Sequence, residues 1–177
     1  MKEIVFAGFG GQGVLTSGLI ISDIAVENGE NATWMPSYGS AMRGGTANCT
    51  VKYGEGIIYN PSQEEPNLLL AMNQPSFDMF IGKVAKDGIV LVSEVVDTTA
   101  CTRDDVKIVV VPCHKIADEA NHSRGANIVM TGAIIKLLGD HTMEQGKAAM
   151  ERMFNKKGKN KFSELNETVF EAGYNYI

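Results

Sequence analysis

The segment Gly8-Phe9-Gly10-Gly11-Gln12-Gly13 constrains this chain more than any other, because it satisfies G-x-G-x-x-G and separates two unlike patterns. Before it, Ile4 to Ala7 is a short apolar, partly β-branched run. After it, Val14, Leu15, Ile21, Ile24 and Ala25 recur at near-helical spacing as far as Val26, and Asn28-Gly29 supplies a helix end. That order predicts strand, glycine turn and helix. Ile4 to Ser22 carries no charge, but its five glycines, with Gln12, Thr16 and Ser17, make it two short elements rather than a membrane span. Glycines at such a turn bring backbone N–H groups close to an anion, and the helix N-terminus adds partial positive charge. The same residues serve equally for a tight, closely packed turn with no ligand. Two nucleotide classes are disfavoured. An NAD site wants an acid near Thr33-Trp34-Met35-Pro36, which has none, and the Lys-Ser or Lys-Thr of a nucleoside-triphosphate loop is missing.

Downstream, Ala32 to Met35 is expected to be a second strand stopped by Pro36, followed by a loop over residues 36–47. Cys49 to Tyr53 and Ile57 to Tyr59 flank Gly54-Glu55-Gly56 and predict a hairpin. Leu68 to Met72, Ile89 to Val92 and Lys107 to Val111 suit central strands, with a helix over Pro75 to Lys86. Four helices then follow: His114 to Asn121, Ile128 to Leu138, Met143 to Phe154, and Ser163 to about Tyr176. With 177 residues, this reads as one domain over 1–177. The expected fold is three-layer α/β, with a mixed, mostly parallel sheet, a Rossmann-like first βα unit and a helical C-terminal part. The basic run from Lys156 to Lys161 reads as a solvated loop.

Sixteen basic against twenty-one acidic residues give a net charge of −5, which argues against a nucleic-acid partner, so any anion site must be built locally. The loop holding Ser37, Tyr38, Gly39, Arg43, Gly44 and Gly45 is one such place. Arg43 offers a bidentate fork and the glycines allow close approach, although an arginine paired to a surface carboxylate reads equally well. Cys49, Cys101 and Cys113 form no Cys-x-x-Cys pair and read as reduced thiols of a cytoplasmic protein. Cys113-His114 suggests a nucleophile and base, but adjacent side chains diverge and a buried structural thiol is favoured. His114, His122 and His141 lack metal-ligand spacing, and no catalytic carboxylate pair can be argued; neither a metal site nor a catalytic residue is expected.

Four ordered blocks together resemble the gamma subunit of the 2-oxoacid:ferredoxin oxidoreductases, a family that also supplies an internal domain of single-chain pyruvate:ferredoxin oxidoreductases. They are the glycine turn, then Pro36-Ser37-Tyr38-Gly39 with Arg43-Gly44-Gly45-Thr46-Ala47-Asn48-Cys49, then Leu70 to Pro75, and Ala126-Asn127-Ile128-Val129-Met130 with Gly132-Ala133. The chain departs from the family at Ser40-Ala41, where Pro-Glu is usual, and at Cys113, where a small residue is commoner. The resemblance implies a subunit, inactive alone, of a hetero-oligomer that decarboxylates a 2-oxoacid, transfers the acyl group to coenzyme A and reduces ferredoxin. The loop wording is most similar to the branch acting on 2-oxoglutarate or 2-ketoisovalerate. Thiamine diphosphate, magnesium and 4Fe-4S clusters would belong to alpha, beta and ferredoxin-like delta partner subunits, since three scattered cysteines cannot hold a four-cysteine cluster. Under this resemblance Gly8, Gly10, Gly11, Gln12, Gly13, Ser37, Tyr38, Gly39, Arg43, Gly44 and Gly45 are the expected coenzyme A contacts or face the partners. Alternatives are an assembly subunit without ligand and a free-standing Rossmann-like dinucleotide-binding protein.

Overall fold

A computed structural model describes residues 1–39, 44–156 and 163–177. Its strands are β1 (Lys2–Phe9), β2 (Asn31–Tyr38), β3 (Thr46–Gly54), β4 (Leu68–Ala71), β5 (Ile89–Ser93) and β6 (Lys107–Val111). The helices are α1 (Val14–Glu27), α2 (Gln74–Phe80), α3 (Cys113–Glu119), α4 (Ala126–Leu138), α5 (Met143–Lys156) and α6 (Ser163–Tyr176). The strands form one mixed sheet in the order β2-β3-β1-β4-β5-β6. Its β1, β4, β5 and β6 portion is parallel, and β3 is antiparallel to both β1 and β2.

The apolar runs of the central strands follow from burial on both faces. Ile4, Phe6, Leu68, Leu70 and Leu91 point into one core, built with α1 and α4. Val5, Ala7, Leu69, Ala71, Val90 and Val92 point into the other, with Phe77 and Phe80 of α2. Alternation along each strand thus makes a three-layer α/β fold. Helix α4 is buried from Ala126 through Ile135, because α6 covers the side turned away from the sheet. The two backbones nearly touch there: a Cβ on Gly132 would stand 2.1 Å from the Phe170 carbonyl oxygen, and one on Gly173 would stand 1.9 Å from that of Val129.

The structure departs from four expectations. Pro36 does not stop β2, which continues to Tyr38 with Pro36 opposite Cys49; β2 lies at the sheet edge, where a missing N–H is tolerated. The hairpin is β2–β3, not Cys49 to Tyr53 with Ile57 to Tyr59, and residues 57–59 form no strand. The 36–47 loop therefore shrinks, since residues 36–38 and 46–47 are paired. The helix expected to reach Lys86 ends at Phe80, followed by a 3-10 turn over Ile81–Lys83. No helix among the described residues is long and apolar enough to cross a membrane.

Candidate functional site

The chain leaves β1 through Gly8 and turns into α1 at Gly13. Gly11 and Gly13 have φ of 103° and 76°, left-handed values that glycine takes without strain. Gly8 is needed for space instead, as a Cβ there would lie 2.8 Å from Gln12 Oε1 and 2.9 Å from Val14 Cγ1. Much of the turn's hydrogen-bonding capacity is used internally. Phe9 N–H donates to Gln12 Oε1 at 2.6 Å, Gly10 N–H to the Gly45 carbonyl at 2.8 Å, and Gln12 N–H to the Phe9 carbonyl at 3.0 Å. The amides of Gly11, Gly13 and Val14 have no acceptor among the described residues, and α1 has no side-chain cap. The open cradle expected from the glycine motif is narrowed to its second half.

Gln12 holds the turn in place. Its Oε1 also accepts from Asn73 Nδ2 at 2.9 Å, and Asn73 Oδ1 accepts from the Ser76 amide at the start of α2. Across the turn, Asn127 Nδ2 donates to the Gly13 carbonyl at 3.3 Å. The Asn127 carbonyl accepts from Thr131 Oγ1 at 2.7 Å and from Ser17 Oγ at 3.3 Å. Strand end, turn, α1 and α4 are therefore pinned by one polar network whose buried members are partnered.

Gly11, Gln12 and Gly13 form one wall of a cavity of about 730 Å³, a size within the range of small-molecule sites. Residues 121–124, after α3, form the opposite rim. Asn121 takes φ 55°, the His122 amide returns to the Ala117 carbonyl, and His122 Nε2 hydrogen-bonds Asn166 Oδ1 of α6 at 2.8 Å. Among the described residues, Arg124 on this rim is exposed and has no hydrogen-bond or ion-pair partner, and no acidic side chain lines the cavity. An unpaired guanidinium, free amides and no carboxylate make a place for an anionic ligand.

The other expected site residues are placed differently. Gly8 and Gly10 do not line the cavity. Ser37 and Tyr38 belong to β2, and Gly39, Gly44 and Gly45 to the β2–β3 connection, which joins the turn through Gly45 and Gly10; none of these five residues lines the cavity. Arg43 lies outside the described residues. Sequence reasoning passed over Arg124, which sits in a short polar stretch with no motif; only its place three residues before Asn127 could have drawn attention to it. The second strand of a dinucleotide fold is also absent from its usual place, because β3 separates β2 from β1.

His114, on the same cavity's wall, belongs to a second group at the ends of β5 and β6. Burial pushes the Cys113 thiol up to about 12, so it is no activated nucleophile for the neighbouring imidazole. Burial opposes the charge of Glu94, yet hydrogen bonds from its own amide, the Lys115 amide, Ser93 and His114 hold its carboxyl down to about 2. The three thiols do not gather: Cys49 is buried beside Trp34 and Val14, far from the Glu94, Cys113 and His114 group.

A family model described as pyruvate ferredoxin/flavodoxin oxidoreductase matches residues 3–176. The chain is 34% identical over 171 residues to ketoisovalerate oxidoreductase subunit VorA of Methanothermobacter marburgensis, covering 97% of this chain and 35% of VorA, so it spans about a third of that relative. It is 32% identical over 176 residues to 2-oxoglutarate synthase subunit KorC of Methanocaldococcus jannaschii, covering 98% of this chain and 92% of KorC. In structure it matches the keto/oxoacid ferredoxin oxidoreductase gamma subunit of Geobacter sulfurreducens, with TM-score 0.78, 26% identity, and coverage of 99% and 97% of the two chains. It also shares the fold of part of the 2-oxoglutarate:ferredoxin oxidoreductase of Magnetococcus marinus, solved with 2-oxoglutarate, coenzyme A and succinyl-CoA. There the TM-score is 0.85 at 21% identity, covering 99% of this chain and 31% of that one.

Proposed function

The chain belongs to the pyruvate ferredoxin/flavodoxin oxidoreductase family, and on that premise we propose that it is the gamma-type subunit of a multi-subunit 2-oxoacid:ferredoxin oxidoreductase. The assembled enzyme would oxidatively decarboxylate a 2-oxoacid, pass the electrons to ferredoxin and place the acyl group on coenzyme A. The names of VorA and KorC support 2-ketoisovalerate or 2-oxoglutarate as the substrate. Thiamine diphosphate with magnesium supplies the decarboxylation chemistry when bound, and iron–sulfur clusters carry the electrons. This chain's dispersed thiols do not fit a four-cysteine cluster. Those groups are assigned to alpha, beta and ferredoxin-like delta partners, with external ferredoxin as acceptor. Three free cysteines suit the cytoplasm.

This chain's own part is to bind and orient coenzyme A. The observation that carries the reading is the cavity between the glycine turn and Arg124, lined among the described residues by no acidic side chain. Gly11, Gly13 and Val14 would present amides to one phosphate group and Arg124 its fork to another, while Gln12 and Asn127 fix the turn. On the family resemblance Ser37, Tyr38, Gly39, Arg43, Gly44 and Gly45 would face the partner subunits, and Gly8 and Gly10 would support the turn. The structure of the Magnetococcus marinus enzyme with coenzyme A bound supports the ligand class.

Calorimetry of the reconstituted complex with coenzyme A tests this. Arg124→Ala should weaken binding by about tenfold or more, the worth of a charge-assisted hydrogen bond. The internally bonded amides of Phe9, Gly10 and Gln12 favour a second reading, an assembly subunit that holds no ligand. If Arg124→Ala and Arg43→Ala complexes both assemble and bind coenzyme A as the parent does, the scaffold reading stands.

A further inference from the structure

The ends of β5 and β6 bring together three donor atoms of a kind that zinc takes, and this grouping has no part in the coenzyme A reading. Glu94 Oε2, Cys113 Sγ and His114 Nδ1 stand at the corners of a triangle. Its edges are 3.5 Å from carboxylate to sulfur, 3.6 Å from sulfur to imidazole and 3.3 Å from imidazole to carboxylate. Tetrahedral zinc with bonds of about 2.3 Å to sulfur, about 2.05 Å to nitrogen and about 2.0 Å to oxygen requires edges of about 3.5, 3.6 and 3.3 Å in the same order. The imidazole–carboxylate separation is longer than a well-formed hydrogen bond, but it has the right length for two ligands of one ion.

Ser93, fully buried, brings its Oγ 3.0 Å from Glu94 Oε2 and 3.2 Å from His114 Nδ1, separations that suit a fourth donor to the same ion. The surrounding chain fixes the ligands. Glu94 Oε1 is occupied by the amides of His114 at 3.0 Å and Lys115 at 3.2 Å, which leaves Oε2 directed into the group. Cys113 is fully buried, whereas Glu94 and His114 have side chains 27% and 38% exposed, so an ion can enter from solvent and be held from within.

We propose that Glu94, Cys113 and His114 form a zinc site, with the Ser93 hydroxyl as fourth donor. On binding, the Cys113 S–H bond breaks, a sulfur–zinc bond forms and the proton goes to solvent, with no change of oxidation state. One thiolate and one carboxylate balance the charge of the ion. The mixed sulfur, nitrogen and oxygen donors select zinc over magnesium or calcium, which favour oxygen alone. Since His114 also lines the cavity, the ion lies at the cavity wall.

The test uses the full chain freed of metal by a chelator and titrated with Co²⁺ alone, then with Zn²⁺ against a chromophoric chelator. One equivalent of Co²⁺ should bring visible bands of a tetrahedral ion and a near-ultraviolet sulfur-to-cobalt band, both removed by one equivalent of Zn²⁺. Cys113→Ala should abolish the sulfur band, Glu94→Gln and His114→Ala should each weaken Zn²⁺ binding at least tenfold, and Cys101→Ser should leave both unchanged. Far-ultraviolet circular dichroism checks that each variant folds, and His114→Ala, at a partly exposed position, keeps the test decisive if Cys113→Ala does not fold. Absence of a sulfur band in the parent protein overturns the proposal, as does Zn²⁺ binding unchanged in His114→Ala. These readouts are independent of coenzyme A and of assembly.

Discussion

Asn127 occupies the space that any side chain on Gly13 would need: a Cβ on Gly13 would lie 2.5 Å from Asn127 Nδ2, the atom that donates to the Gly13 carbonyl. The beginning of α1 and the beginning of α4 are thus fitted to each other across 114 residues of sequence. Left-handed backbone at Gly13 is half the reason for glycine there; the amide of Asn127 is the other half.

Gly13→Ala should therefore cost about 2–5 kcal/mol, the sum of a left-handed alanine and an overpacked contact. Adding Asn127→Ala should return the packing part and leave the backbone part. Denaturant unfolding of both single variants and the double variant measures the coupling; strictly additive losses would show that the two residues do not share this space.

Lys52 is buried on β3, its side chain 5% exposed, 3.3 Å from Glu3 and in contact with Glu64. Removing one member of a buried pair leaves the other charge uncompensated, at a cost of about 3–5 kcal/mol. Lys52→Met should lower the unfolding free energy by that order, and Lys52→Met with Glu3→Gln should recover much of it. Equal stability of the two variants would contradict the assignment.

Asp140 accepts from Tyr53 at 2.8 Å and pairs with Lys2 at 2.7 Å. Burial opposes its charge, but the bonds from Lys2 and Tyr53 prevail and hold its carboxyl below the usual value. A carboxyl with a lowered folded pKa stabilises the fold above its unfolded pKa of about 4, and that contribution is lost as pH falls toward the folded value. Thermal unfolding of the parent should therefore become easier below about pH 4, and Asp140→Asn should show a shallower acid slope. An identical slope in the variant would remove Asp140 from the account.

Gly173 allows α6 to lie against the backbone of α4 at Val129. Gly173→Ala should separate the helices and cost about 1–3 kcal/mol or more. Because α6 carries Leu165 and Asn166 to the cavity, the same variant should weaken coenzyme A binding by the complex without touching the ligand. Melting temperature and calorimetry report the two effects separately.

Much of this protein could be read along the chain. The β1–turn–α1 opening was plain from Gly8 to Val26, because element type is a local property written in the period of apolar residues. The parallel strands β4, β5 and β6 were equally plain, since burial on both faces leaves continuous apolar runs. Their family resemblance rested on the same short blocks. What local pattern could not say was which edges pair. Pro36 looked like a stop only until β2 proved to be an edge strand, and the fragment 57–59 looked like a partner for β3 until β1 and β2 took both of its edges.

The candidate sites divide in the same way. The glycine turn was visible because its residues are consecutive, whereas Arg124 becomes a cavity residue only when the connection from α3 to α4 folds back toward Gly11. Glu94 meets Cys113 and His114 only because β5 and β6 are neighbours that end at one level of the sheet, with α3 beginning there. Sequence determined the elements and the turn chemistry, which depend on neighbours along the chain. Tertiary structure alone decided the strand order, the internal satisfaction of half the glycine turn and the convergence of distant side chains, because pairing and packing energies come from residues far apart in sequence.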